Sequence, residues 1–409
     1  MKIKTLKEYL NSEIEFYQYD NENFLDFLSA VKFKLNIPFI HVTGTSGKTI
    51  VGKILENIYT SNGYKVGFIN SEEMLNFDVS NKKYSGFAAI FEDNWKIINK
   101  YELTKYEVLF YLSLINFKNE GKELLIFETF MGGYFDTSNI EETPLISVIN
   151  NVGLEHCDVL GKSVSEIAYT KCGIIKPDSL VVLNAFDADI DFVVTEECKK
   201  NKCKLVKVAE FYNYNLIDLN HLEIQYFPFP NFKVSTKALY NRENVACALE
   251  IINLLNNQFS CTNENIQIGL LKDNGYGYFD IFKIDGKTVV CDKANNPFST
   301  EKLCKSLEFS LEDTIEHSAI LFAVDYDKNL EKMLSILSRV SHQIILTTFN
   351  DDNARDENGF YLFLEDYSYV DDCKEAFASL LADENVKNII ITGNEKFVKL
   401  FEKYLGDDR

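Results

Sequence analysis

The stretch FIHVTGTSGKTIVG, residues 39–52, contains the pattern from which the rest of the chain can be placed. Its first four residues are mostly apolar and predict a short buried strand, and a run with helical spacing follows Thr49. Between strand and helix lie Gly44, Thr45, Ser46, Gly47, Lys48 and Thr49. A glycine-containing turn of this kind points backbone N–H groups and the positive end of the helix dipole at one position. Lysine adds a mobile cation there, and the Thr49 hydroxyl can reach a phosphate-bound Mg²⁺. The stretch therefore predicts a phosphate-binding loop.

The spacing of this loop leaves an alternative open. It reads G-x-x-G-K-T, which is shorter than the usual G-x-x-x-x-G-K-[ST]. An ordinary strand-to-helix turn that carries a surface lysine would give the same letters. The strand before the turn and the helix after it favour the phosphate loop.

Composition excludes several classes of function. The 409 residues suffice for two or three domains, and 62 acidic against 42 basic residues give a net charge of −20. This charge argues against a protein held on nucleic acid by counterion release. The nine cysteines contain no C-x-x-C pair, and no signal-peptide pattern begins the sequence, which predicts reduced thiols in a cytoplasmic protein. No apolar run approaches the roughly 18 to 20 residues that a membrane span needs.

Strands alternate with helical stretches along most of the chain. The predicted strands are 39–42, 65–70, 123–129, 145–152, 180–185, 288–292, 319–325, 343–349 and 388–393. Residues 1–35 are predicted to be helical, 71–100 irregular, and 186–235 to contain shorter strands. Glycines and polar residues at Lys272–Tyr278 predict an interdomain hinge. Alternation of this kind predicts an α/β fold with a parallel sheet covered on both faces.

Three side chains fall where parallel strands end, which is where open α/β sheets bind ligands. Glu128 ends a predicted strand, His156 lies just past another, and Lys171 is on the following helix. A carboxylate and an imidazole near a triphosphate are suitable ligands for Mg²⁺ or Mn²⁺. Each residue has a structural alternative: a capping or ion-paired carboxylate, a satisfied polar histidine and a solvated lysine.

Five longer motifs resemble the Mur ligases, and within them the folylpolyglutamate synthase and dihydrofolate synthase branch. HVTGTSGKT is similar to HVxGTNGKG/T, and FETFMGGYFDTSNI to ExGLGGRLDATN. INNVGLEHCDVLGKSVSEIAYTKCGIIKP is similar to TxIGLDHxDxLGxTxxxIAxEKAGIIKP and is the most specific match. CDKANNP resembles DGAHNP or KATNP, and IIITGNEKFV resembles VxxTGSxxxV.

The resemblance implies an architecture and an activity. Residues 1–274 would form a central ATP-binding domain, built on a P-loop and a parallel sheet, with an N-terminal helical segment. Residues 275–409 would form a smaller Rossmann-like α/β domain. The activity would be ATP-dependent joining of a small-molecule carboxylate acceptor to an amino acid or other amine through an acyl phosphate. The family also implies a monomer, and the net charge and the lack of a long apolar run predict a protein that acts without nucleic acid or membrane.

The resemblance assigns roles to the residues around the loop. Lys48 would hold the ATP phosphates, and Thr49 would assist with Mg²⁺. Glu128 and His156 would be metal ligands, and His156 and Lys171 would belong with Lys48 to the catalytic set. Lys171 would be the lysine that family members carbamylate, which gives a group that holds a second metal.

Residues later in the chain would contact the nucleotide and the substrate. Asn241 and Asn244, in YNRENVACA, resemble H-[QN]-x-x-N and would lie near the adenine. Asp292 would contact the ribose, and Lys293 would contact phosphate as in KATNP. Arg355, in DDNAR, resembles the DNPR arginine that some members use on the amino acid's carboxylate, although a plain surface arginine is an equal interpretation.

Several positions depart from the family pattern. Two of its arginines are Tyr134 and Tyr278 here, and the histidine of DGAHNP is Asn295. SEEM, residues 71–74, replaces the SPHL of the folate enzymes, which argues against folate as the substrate. These changes motivate a second hypothesis, a degenerate relative that binds nucleotide and serves a partner protein without catalysing a reaction. A P-loop protein coupled to motion or signalling is a third, for which the sequence offers no separate Walker-B strand ending in aspartate.

Overall fold

The computed structural model describes residues 3–78, 80–81, 84–210, 212–218, 221–236, 238–272 and 278–406, the side chains of 312–314 excepted. The chain forms two compact units. The first is drawn from Met1–Tyr212, Tyr226–Pro230 and Glu243–Lys272, and the second from Asn213–Gln225, Asn231–Arg242 and Asp273–Arg409.

The first unit contains eleven α-helices and six strands among its described residues. The helices are α1 Leu6–Leu10, α2 Glu22–Ala30, α3 Lys48–Ser61, α4 Ser71–Leu75, α5 Phe87–Lys100, α6 Lys105–Asn119, α7 Cys157–Leu160, α8 Val164–Lys171, α9 Ala188–Lys200, α10 Asn241–Leu255 and α11 Asn263–Leu270. The strands are β1 Phe39–Gly44, β2 Val66–Ile69, β3 Leu124–Glu128, β4 Ile146–Asn150, β5 Leu180–Asn184 and β6 Lys204–Lys207. The first two residues of α10 belong to the second unit.

The six strands form one parallel sheet in the order β2-β3-β1-β4-β5-β6. Its register brings the strand ends together: Val42 pairs with Glu128, and Gly44 pairs with Asn150, which pairs in turn with Asn184. Strands β1 to β4 are buried along their whole length, as expected for a parallel sheet with helices on both faces. The carboxyl edge of this sheet is therefore the place where polar side chains of several strands meet.

Helix α6 anchors the core on one face of this sheet. Thr104 and Glu107 form a capping box at its start, which satisfies N–H groups that have no acceptor within the helix. The ring of Phe110 lies 6.0 Å from that of Phe24 in α2 and 5.3 Å from that of Phe127 in β3. Buried aromatic contacts of this size contribute strongly to core stability, and they hold β3 and its terminal carboxylate in place.

The second unit contains two further sheets among its described residues. Its strands are β7 Asn213–Asp218, β8 His221–Gln225, β9 Asn231–Val234, β10 Tyr278–Ile284, β11 Lys287–Asp292, β12 Ser318–Phe322, β13 Gln343–Leu346, β14 Ser368–Tyr369 and β15 Asn388–Thr392. Its helices are α12 Pro297–Leu311, α13 Leu330–Leu337, α14 Glu357–Phe360, α15 Cys373–Ala382 and α16 Glu395–Gly406. Strands β7-β8-β9 are antiparallel, and the larger sheet has the order β10-β11-β15-β12-β13-β14, with only the β10–β11 pair antiparallel.

The structure confirms the predicted α/β fold class and corrects parts of the element prediction. Residues 71–100 were expected to be irregular, and they contain α4 and α5. One face of α5 is buried, and its apolar residues recur at helical spacing: Phe87, Ile90, Phe91 and Ile98. The polar residues between them make this helical period difficult to recognise in the sequence.

Three further points qualify the predicted elements. The predicted helical segment at the amino end is two short helices, α1 and α2, joined by non-helical residues. Helix α9 lies where only short strands were expected. Residues 273–277 of the predicted hinge lie outside the described residues. The division into domains 1–274 and 275–409 stays a prediction.

Candidate active site at the carboxyl edge of the first sheet

The turn between β1 and α3 accepts only glycine at two positions. A Cβ on Gly44 would lie 1.9 Å from the backbone oxygen of Asn150, because the two strands approach closely there. Gly47 has a φ of +77°, and a Cβ on it would lie 2.3 Å from Oδ1 of Asn244. The turn is therefore tight, and α3 begins directly after it at Lys48.

The amino end of α3 carries the features of an anion site. Its N-cap residue, Gly47, supplies no side-chain cap, and the first N–H groups of a helix have no acceptor within it. Thr45 and Ser46 donate their backbone N–H groups to the carbonyl oxygen of Asn151, at 2.8 and 3.4 Å. Lys48 Nζ donates to the carbonyl oxygen of Gly44 at 3.1 Å, so the lysine folds over its own turn. An incoming phosphate would meet a cation and a helix N-terminus at one place.

A buried carboxylate stands beside this helix start. Glu128, at the end of β3, is 2 % exposed. Its Oε2 accepts a hydrogen bond from Thr49 Oγ1 at 2.9 Å, and its Oε1 accepts one from Ser71 Oγ at 2.8 Å. The structure thus brings Thr49 and Glu128 together and adds Ser71, which the sequence analysis did not propose. Its position directly after β2, at the same edge of the sheet, is the signal that could have identified it.

The donor set around Glu128 suits a hard divalent cation. A carboxylate and two hydroxyl groups are oxygen ligands of the kind that Mg²⁺ prefers. His156 is exposed, with a φ of +47°, and it occupies the N-cap position of the short helix α7 without a side-chain capping hydrogen bond. Within the described residues, no three His, Cys, Asp or Glu side chains form a group that could hold a metal by themselves. The role of His156 as a metal ligand stays a prediction.

Lys171 is a buried amine at the end of α8. It is 2 % exposed, and burial, reinforced by the positive charge of Lys48, lowers its pKa to about 7. The carboxyl groups of Glu155 and Asp136 act in the opposite direction. A Cβ on Gly133 would lie 2.6 Å from the Lys171 carbonyl oxygen, so the glycine at this position is what allows the helix end to approach. Near neutral pH a large fraction of this amine is uncharged.

The two asparagines of α10 belong to different units. Asn244, in the first unit, accepts a hydrogen bond at Oδ1 from Asn150 Nδ2 at 3.2 Å, which places it against the phosphate loop. Asn241, in the second, donates from Nδ2 to Thr236 Oγ1 at 2.7 Å. Their proximity to the adenine stays a prediction.

The second unit carries Asp292 and Lys293 at the end of β11. Asp292 accepts hydrogen bonds from the Tyr240 hydroxyl at 2.6 Å and from the Ala294 N–H at 3.0 Å. Burial raises its pKa to about 7, although both hydrogen bonds oppose the rise. Lys293 Nζ lies 4.1 Å from the centre of the Tyr278 ring and 3.9 Å from Glu395 Oε2. The tyrosine that replaces a family arginine therefore packs against a neighbouring cation.

Arg355 is tied to the backbone of its own unit. Its guanidinium donates to the carbonyl oxygens of Tyr326 at 2.8 Å, Gly359 at 3.0 Å, Asp325 at 3.3 Å and Lys328 at 3.4 Å. These bonds favour the structural interpretation of this arginine that the sequence left open. Its role toward a substrate carboxylate stays a prediction.

None of the helices in the described ranges combines the length and the apolar character that a bilayer crossing requires.

Comparison with known proteins gives one family consistently. The family model described as the Mur ligase middle domain matches residues 42–252. Dihydrofolate synthase/folylpolyglutamate synthase of Bacillus subtilis is 22% identical over 389 residues, which is 89% of this chain and 90% of that protein. Folylpolyglutamate synthase of Lacticaseibacillus casei is 24% identical over 379 residues and 87% of each chain.

Solved structures agree in fold. Folylpolyglutamate synthase of Mycobacterium tuberculosis complexed with ADP superposes with a TM-score of 0.83 at 18% identity, over 98% of this chain and 97% of that one. A folylpolyglutamate synthase in complex with AMPPCP and folate gives 0.81 at 21% identity over 98% of each. The prediction of an ATP-dependent ligase that forms an amide bond is confirmed at the level of the family. The chain belongs to the Mur ligases.

Proposed function

We propose that this protein binds ATP at the Gly44–Thr49 turn and uses it to join a small-molecule carboxylate to the amine of an amino acid. The observation that carries the proposal is the Thr49–Glu128 hydrogen bond of 2.9 Å at the uncapped start of α3, directly beside Lys48. This arrangement supports the proposal because carboxylate and hydroxyl oxygens, which suit a hard cation, lie next to a helix N-terminus, which suits phosphate.

The first step would be attack of the acceptor carboxylate on the γ-phosphorus of ATP. An acyl phosphate forms, the bond to the β-phosphate oxygen breaks, and ADP leaves. Lys48 would leave the Gly44 carbonyl oxygen and stabilise the charge on the transferring phosphoryl group. The amine would then attack the acyl carbon and release inorganic phosphate. Thr49, Glu128 and Ser71 would hold Mg²⁺ or Mn²⁺, which when bound neutralises phosphate charge.

Lys171 has the properties that carbamylation requires. Only the uncharged amine attacks CO₂, which gives Lys–NH–COO⁻ and releases one proton. With a pKa of about 7, a large share of this side chain is in the reactive form near neutral pH. The product carboxylate would lie within electrostatic reach of Lys48, whose positive charge favours an anion there. We infer that this group supplies a second anionic metal ligand.

The names of the relatives make a folate-type carboxylate and glutamate the first substrates to test. Other acceptors should be tested beside them, because the SEEM segment, residues 71–74, replaces the SPHL of the folate enzymes. In this segment, Ser71 donates a hydrogen bond to Glu128, and Glu73 accepts one from the Tyr84 hydroxyl. We expect a cytoplasmic enzyme that acts without nucleic acid or membrane, and the net charge of −20 argues against binding to nucleic acid. We expect a monomer, as the family resemblance implies.

Lys48→Ala tests the proposal. We expect acceptor- and amine-dependent ADP release to fall at least about a hundredfold, because the cation that stabilises the transferring group is lost. Lys53→Ala is the matched control on the same helix, since Lys53 forms a partly exposed ion pair with Glu56 at 2.8 Å, and such pairs contribute little to stability. Unchanged turnover in Lys48→Ala would refute the proposal. ATP binding without ADP formation across a panel of folates, UDP-muramyl peptides and amino acids would favour the degenerate relative.

A further inference from the structure

Three buried asparagine side chains form a connected group at the carboxyl edge of the first sheet. Asn150 ends β4, Asn184 ends β5, and Asn244 lies in the first turn of α10; each is 2 % exposed or less. Asn184 Nδ2 donates to Asn150 Oδ1 at 2.6 Å and to the backbone oxygen of Glu243 at 3.1 Å. Asn150 Nδ2 donates in turn to Asn244 Oδ1 at 3.2 Å.

This group holds the phosphate loop directly. Asn150 Nδ2 also donates to the backbone oxygen of Ser46 at 2.8 Å. A Cβ on Gly47 would lie 2.7 Å from Asn150 Nδ2 and 2.3 Å from Asn244 Oδ1, so the loop backbone rests against both carboxamides. The asparagine side chains therefore support the Ser46–Gly47 part of the loop, in addition to the backbone hydrogen bonds from Thr45 and Ser46 to Asn151.

Folding stability alone is a poor reason for this arrangement. The carboxamide oxygen of Asn184 is buried and has no hydrogen-bond partner within the described parts of the chain. Leaving a buried acceptor unsatisfied costs free energy that an apolar pair of similar shape would not. Because the Asn150–Asn184 pair carries this cost in folding free energy, its presence points to a positioning role.

We propose that Asn150, oriented by Asn184, is a positioning residue for nucleotide binding. It fixes the Ser46–Gly47 backbone so that the N–H groups at the start of α3 face the phosphates. Both side chains are fully buried and act through the loop. The proposal rests on the proposed function only in requiring that ATP bind at this turn.

The role predicts a dependence on the number of phosphates. In Asn150→Ala we expect the dissociation constants of ATP and ADP with Mg²⁺ to rise about tenfold, while that of AMP stays within about twofold. Asn184→Ala should give a smaller rise of about threefold, since Asn150 keeps its own donors. The double variant should stay close to Asn150→Ala, because the hydrogen bond from Asn184 reaches the Ser46 backbone by way of Asn150.

Isothermal titration calorimetry on the full chain, with thermal unfolding measured beside it, tests these values. Asn388→Ala is the matched control: Asn388 is equally buried and donates to Ser318 Oγ at 3.3 Å at the start of β15, so its loss should affect stability alone. Equal ATP affinity in Asn150→Ala and the unaltered protein would overturn the positioning role alone. An equal loss for AMP would also overturn it and indicate general structural damage. Failure of the unaltered protein to bind ATP would overturn the proposed function and this inference together.

Discussion

The carboxyl edges of the parallel strands in the two six-stranded sheets carry different kinds of polar contact. At the first edge, the buried Glu128 carboxylate accepts hydrogen bonds from two hydroxyl groups. At the second, Asp292 is held by a phenol and a backbone N–H, and Arg355 donates to four backbone oxygens.

The difference concerns which groups are available for a ligand. The hydroxyl partners of Glu128 can turn toward a metal at little cost, whereas the bonds of Arg355 fix a loop that would be destabilised without them. We infer that the hydroxyl groups at the first edge can exchange their hydrogen bonds to Glu128 for a bound ligand, whereas the hydrogen bonds at the second edge mainly keep the backbone rigid. Substitutions at the two edges should therefore affect different observables.

Glu128→Gln should have the largest effect. Because it removes the negative charge expected at the cation site, we expect ligase turnover to fall about a thousandfold or more, which corresponds to roughly 4 kcal/mol or more. The thermal midpoint should change little or rise, since a buried charge is lost. Metal-dependent ADP release is the measurement. Activity within tenfold of the unaltered protein would contradict the inference that the first edge, and not the second, holds the ligand.

Lys171 should make stability rise with pH. In CO₂-free buffer, where Lys171 is the free amine, its folded-state pKa of about 7 lies below the usual lysine value, so between pH 7 and 10 the unfolded chain binds more protons than the folded protein. The free energy of unfolding should therefore gain up to about 4 kcal/mol over that window relative to Lys171→Met. Urea unfolding at pH 7 and 9.5 in both proteins tests this, and parallel curves would contradict it.

Asp292 should act with the opposite sign at lower pH. Its folded-state pKa of about 7 lies above the usual aspartate value, so between pH 4 and 7 the folded protein binds more protons than the unfolded chain. Its contribution should be present at pH 4 and be lost as the pH rises to 7, by roughly 3 kcal/mol relative to Asp292→Asn. If the two proteins show the same pH dependence, the buried carboxyl is not protonated as inferred.

Arg355→Met should lower stability more than activity. It removes donors from several backbone oxygens, and we expect a loss of about 2 kcal/mol in the free energy of unfolding. The KM for the amine substrate should stay within about threefold. A large rise in that KM with unchanged stability would instead support the substrate role drawn from the family resemblance.

Local sequence patterns could predict the centre of the fold. The apolar run 39–42, the glycines after it and the helical period beyond Thr49 each report on neighbouring residues, and β1, its turn and α3 follow from them. Helix α5 could not be predicted as readily, because its apolar positions are separated by polar residues and its burial depends on the surrounding core.

The sequence could predict only those site residues that lie within recognisable motifs. Thr49 and Glu128 lie 79 residues apart and meet because β1 and β3 are neighbours, which the strand-end rule anticipates. The Ser71 contact and the burial of Lys171 depend on how helices pack on the sheet. The link between Asn150 and Asn184 depends on the β4–β5 register, which a sequence pattern does not specify.

The most direct test of the central claim is a crystal structure with Mn²⁺ and a non-hydrolysable ATP analogue, in which the anomalous signal locates the metal. The account predicts Mn²⁺ bound directly by Thr49 Oγ1 and a Glu128 carboxylate oxygen. It also predicts that the β- and γ-phosphates lie at the start of α3 within reach of Lys48. A metal and triphosphate bound elsewhere, with the Thr49–Glu128 hydrogen bond unchanged, would contradict it.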